Sequence, residues 1–189
     1  MLRSSLCLLT LCCALSAPAL TVRPPSFEEL TRAAEAILVA EVSNLEMKLE
    51  PVEGRPVPFT YVTLAVTETL KGPPTATVVL RCLGGQVGEN ALRVVGVPEF
   101  AVGDRGFFFV QNNGTQFFPL VGITHGLYWE IHDAVTGVDF VTRANGAPLH
   151  STADVSRPLP DTRQTRTTGG MTSALFREKI KAEMQHATR

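Results

Sequence analysis

Apolar and polar positions change period several times along the chain, and each change predicts an element. Ser26-Phe27-Glu28-Glu29 has the form of a capping box, in which Ser26 accepts from the N–H of Glu29 and Glu29 reaches back. It predicts a helix to about residue 34, with Phe27, Leu30 and Ala34 on one face. The continuous apolar run at 37–42 predicts a strand buried on both faces. Residues 46–58 read as a polar connection, because they hold three prolines and Gly54. Val62, Leu64 and Val66 alternate with Tyr61, Thr63 and Thr67, predicting a strand over 59–70. A second strand at 75–83, with Val78, Leu80 and Cys82 in phase, pairs with it antiparallel.

Gly84-Gly85 breaks the sheet, and 92–95 predicts a short strand. Phe107-Phe108-Phe109-Val110 reads as a buried strand. Asn113-Gly114 signals a hairpin returning over 116–121, where Pro119 points to a sheet edge. Residues 127–131 and 138–141 form another hairpin around 133–137. From 151 to 172 the chain is rich in Thr, Arg, Pro and Asp and reads as a flexible linker. Phe176, Ile180 and Met184 recur at helical spacing, predicting an amphipathic C-terminal helix over 173–189 that either docks on the domain or meets a partner. The expected fold is mostly β: a small antiparallel OB-like barrel over 20–150, with an N-terminal helix and a C-terminal helix. Short antiparallel strands in this number are expected to close, because closure removes exposed edges.

The first 19 residues change the setting. Met1-Leu2-Arg3 is positive, residues 6–15 are apolar, and Ala17-Pro18-Ala19 offers small residues at −3 and −1, so 1–19 reads as a signal peptide. Ten apolar residues rise about 15 Å, half the hydrocarbon core of about 30 Å, too short to span it. The expected location is therefore secreted or periplasmic, with no transmembrane segment after cleavage. Of Cys7, Cys12, Cys13 and Cys82, only Cys82 outlasts cleavage, so no internal disulfide forms. Arg3 is the one charge in the signal, leaving 16 basic against 18 acidic residues of the chain's 17 and 18, a net of −2. That balance does not suit a nucleic-acid binder.

Candidate chemistry is sparse, and no cofactor is expected. His132-Asp133 with Asp139 has the residue types of a metal site but not the spacing, and a turn accounts for Asp133. Gly84-Gly85-x-x-Gly88 lacks the Lys-Ser/Thr of a phosphate loop. Cys82 reads as a core residue. Tyr128 and Trp129 are adjacent on a strand and face opposite sides, so one ring is expected in the core and the other outward beside His125, as a contact point for a partner.

Three stretches carry a family resemblance: Phe27-Glu28-Glu29-Leu30 through Ala33-Ala34-Glu35-Ala36-Ile37-Leu38-Val39-Ala40-Glu41-Val42; Tyr61-x-x-Leu64-x-Val66-x-Glu68-x-Leu70-Lys71-Gly72; and Phe100-x-Val102-Gly103-Asp104-Arg105. They resemble a group of uncharacterised secreted bacterial proteins and, more distantly, are similar to netrin-like and tissue-inhibitor-of-metalloproteinase-like OB barrels, over roughly residues 26–110. The resemblance implies a barrel whose rim binds another protein. Inhibitors of that kind chelate zinc through an N-terminal Cys, and the expected first residue after cleavage here is Leu20, so that chemistry does not carry over. The expected function is a secreted non-enzymatic binding module contacting an extracellular or envelope protein. The alternatives are a secreted hydrolase without a recognisable motif and an envelope structural protein.

Overall fold

The computed structural model describes residues 23–159 and 164–186. The expected signal peptide lies outside the described residues. α1 (Phe27–Ala33) starts at the capping box: Glu29 N–H donates to Ser26 Oγ at 3.0 Å, and Ser26 N–H donates to the Glu29 carboxylate at 2.7 Å. The strands are β1 (Ala36–Val52), β2 (Arg55–Lys71), β3 (Thr77–Leu83), β4 (Gly85–Val87), β5 (Asn90–Leu92), β6 (Arg105–Val110), β7 (Leu127–Asp133) and β8 (Val138–Arg143). A 3-10 turn (Thr152–Ser156) and α2 (Ser173–His186) complete the chain.

Six strands form one antiparallel sheet, ordered β3-β2-β1-β6-β7-β8, and β4 and β5 form a small separate hairpin. Alternation gives the sheet two apolar faces. Ile37, Val39, Phe107, Phe109, Tyr128 and Val141 point to the face covered by α1 and α2. Leu38, Ala40, Val42, Phe108, Leu127 and Trp129 point to the other, together with Val62, Leu64, Leu80 and Cys82. The run is thus buried on both sides from Ile37 to Ala40, as its composition predicts, and Val42 continues the second face while Glu41 is exposed. Three register shifts in the β1–β2 pairing bend the hairpin. The sheet curls around the second core, whose concavity is filled by Val97, Phe100, Phe118 and Leu120.

The sheet is open, which corrects the expected closed barrel. Its two edge strands, β3 and β8, are not paired with each other. Loops occupy both edges instead. Along β3, the Asn113 side chain accepts from Arg81 N–H at 3.2 Å and donates to Val79 carbonyl at 2.7 Å, and Leu83 N–H donates to Phe117 carbonyl. Along β8, Val141 N–H donates to Met171 carbonyl at 2.9 Å, and Leu149 N–H donates back to Val141 carbonyl. The return expected at 116–121 is present in part: Leu120 bridges antiparallel to Val110, while Phe117 clasps β3 and the rest of β6 pairs with β7.

Two further expectations are corrected. Residues 46–58 are not a connection but the outer half of the β1–β2 hairpin, turning at Glu53 and Gly54 with φ of 49° and 77°. Val52 and Arg55 close this two-residue turn as a mutually bonded pair, so Pro51, Pro56 and Pro58 fall where N–H groups point away from the partner strand. A missing donor costs the hairpin nothing there. The stretch 151–172 is not a bare linker within its described part. Val155 and Met171 are core residues, and Arg166 pairs with Asp104 at 2.6 Å. α2 docks through Phe176 and Ile180.

Candidate functional site

The residues expected to meet a partner lie inside the molecule. Tyr128 and Trp129 do face opposite sides, but they are 2% and 1% exposed, so the outward ring of the sequence reading is absent. Tyr128 packs against Phe109 and Phe176, with centroids 5.8 and 5.0 Å away. Trp129 packs edge-on to Phe100 at 5.9 Å, donates from Nε1 to Ala144 carbonyl at 3.1 Å, and carries the Arg166 guanidinium 3.9 Å over its ring. The ring of Trp129 is roofed by Phe100 and Arg166, residues far away in the chain. His125 is 7% exposed; burial first, and then the charge of Arg143, push its pKa down to about 4.

His132 Nδ1 lies 2.8 Å from Asp139 Oδ1 as an exposed cross-strand pair. Asp133 Oδ1 accepts from Val135 N–H at 2.9 Å inside the turn, as its position predicts. No group of three metal-ligating side chains occurs among the described residues.

The structure presents a different site, a cavity of about 420 Å³ at the mouth of the second core. Its walls are Leu45 and Met47 of β1, Cys82 of β3, Leu92 of β5, and Val97 and Phe100 of the following loop. Phe100 is held in place by stacking on Phe118, 6.0 Å away and tilted by 10°. The β4–β5 flap is anchored where Thr60 Oγ1 donates to Gly84 carbonyl at 2.7 Å. Gly85 makes this close approach possible: its φ is 134°, and a Cβ there would lie 2.8 Å from Thr60 Oγ1. Cys82, in phase with Leu80 as predicted, has its thiol pushed up to about 12 by burial.

On the opposite face of the β1–β2 hairpin, Arg81 holds the Glu50 carboxylate with two nitrogens and lies 3.7 Å over the Phe59 ring. Tyr61 Oη donates to the same carboxylate. Arg81, then burial opposing it, then Tyr61 set the Glu50 pKa, with a net shift below the usual carboxylate range. This cluster ties the hairpin to β3 and leaves the cavity apolar.

Sequence reasoning missed the cavity because it treated 46–58 as a loop. The signal was present: Leu45, Met47 and Leu49 alternate with Glu46, Lys48 and Glu50, a strand period. No protein-family model, no curated protein and no solved structure matches the chain.

Proposed function

We propose that the chain is an exported, non-enzymatic binding module whose cavity receives an apolar side chain of an extracellular or envelope protein. The cavity carries this reading. Its volume of about 420 Å³ suits a large side chain or two, and its lining is chiefly apolar. Of the lining residues, Met47 and Leu92 are exposed large hydrophobics. An apolar surface continuous with a pocket marks a binding site more often than a solvated face. What the lining offers is chiefly desolvation, and its thiol is held neutral by burial. The resemblance of 26–110 to protein-binding barrels points the same way.

The test is site-directed photo-crosslinking. A benzoyl-phenylalanine at Leu92 should give one discrete protein adduct in an envelope or medium fraction, whereas the same group at the exposed Val135 gives none. Ala91→Trp, which fills the cavity from its rim, should abolish the adduct without lowering the melting temperature. Equal labelling at both positions, or an adduct indifferent to Ala91→Trp, overturns the reading.

A further inference from the structure

The outer half of β1 has one bare edge. From residue 43 to Val52, β1 is paired with β2 on one side, and no backbone partner lies on the other among the described residues. The phase of the turn determines which groups line that edge. Glu46, Lys48 and Glu50 bond inward to β2, so Leu45, Met47 and Leu49 present N–H and C=O outward. Pro58 checks the phase: it shares the outward parity, and its carbonyl accepts from Gly84 N–H at 2.9 Å on the side away from β1. The edges of β3 and β8 are covered by loops, whereas this one is open. Unpaired strand edges are templates for a further strand.

We propose that two copies of this chain pair antiparallel along this edge, about a two-fold axis at Met47. The chain is self-complementary in that register. Lys48 of each copy stands opposite Glu46 of the other, and Leu45 stands opposite Leu49, on the apolar side where Met47 is 46% and Leu49 38% exposed. The neighbouring registers are worse. An axis at Lys48 opposes Lys48 to itself and Glu46 to Glu50. An axis at Glu46 opposes that carboxylate to itself. An axis at Leu49 sets Pro51, which has no N–H, against Met47 inside the ladder, whereas the axis at Met47 sets it against Ser43 at the ladder's irregular end. A two-fold contact uses the same edge twice and closes, so the assembly stops at a dimer. Met47 belongs both to this edge and to the cavity's wall, but the pairing is read by oligomeric state and the cavity by the adduct, so the two proposals fail separately.

Sedimentation equilibrium of the purified protein tests it. The native chain should be a dimer at micromolar concentration. Lys48→Glu sets like charges opposite each other and should raise the dissociation constant about tenfold or more. Adding Glu46→Lys to that variant restores complementarity and should restore the dimer. Leu49→Pro removes an outward N–H at the parity that Pro51 already occupies, so it should yield a monomer with an unchanged circular dichroism spectrum. A monomeric native chain overturns the proposal, as does a dimer that survives Leu49→Pro or a doubly reversed variant that stays monomeric.

Discussion

His125 sits beside a permanent cation in a nearly closed environment, and its titration is the residue-scale consequence. Unfolded, the imidazole takes a proton below about pH 6.5. Folded, it takes one only near pH 4, because burial and Arg143 oppose the charge. Between those values the unfolded chain holds the extra proton, so stability rises with pH through this window and falls on acidification. The melting temperature should therefore drop from about pH 7 to about pH 4.5, and the drop should be smaller in His125→Gln. An equal drop in both proteins removes His125 as its cause. Cys82 should resist an aromatic disulfide reagent at mildly alkaline pH in the native state and react at once in denaturant; rapid native labelling would show that the thiol is accessible. Its burial was legible from its phase with Val78 and Leu80. The burial of Trp129 was not: alternation fixes which way a ring points but not what lies over it, and Arg166 arrives from 37 positions away.

At the scale of elements, α2 shows how a short helix is held. Phe176 inserts among Phe27, Phe107, Phe109 and Tyr128, with centroids 5.0 to 6.4 Å apart. Around it runs a charged strap. Glu130, its side chain 1% exposed, lies 2.9 Å from Arg105 and 3.1 Å from Arg177, and Glu68 meets Arg177 and Lys181. Phe176→Ala should destabilise the protein by about 3 kcal/mol through the cavity it leaves. Glu130→Gln should cost about 2 kcal/mol, less than a fully buried pair because both arginines reach solvent. Urea denaturation measures both, and a value near zero for Phe176→Ala would mean that the helix is not docked in solution. The helix itself was legible, because Phe176, Ile180 and Met184 keep its period. The long hairpin was hidden by composition. Three prolines in thirteen residues read as a loop unless their common parity, set by the turn at Glu53-Gly54, is noticed.

For the whole molecule, a sheet with two apolar faces needs two covers, and the chain supplies one of them last. α1 alone is too short to roof the face that carries Ile37, Phe107, Tyr128 and Val141; Val155, Met171, Phe176 and Ile180 complete it. At about 2 kcal/mol for each of these buried side chains, the tail contributes on the order of 8 kcal/mol of burial. That is comparable to the whole stability of an ordinary domain, about 5–15 kcal/mol. The same tail guards the edge of β8, through Met171 and Thr172. Removing residues 151–189 should therefore not leave a trimmed, folded domain. The truncated chain should bind a hydrophobic dye, lose its cooperative melt and aggregate through the freed edge of β8. A truncated chain that melts sharply near the parent temperature would make the tail an appendage and return α2 to the role of a partner-seeking helix. Composition could not separate these outcomes, because among the described residues of the polar stretch the buried apolar side chains are just Val155 and Met171, too few to show as a pattern.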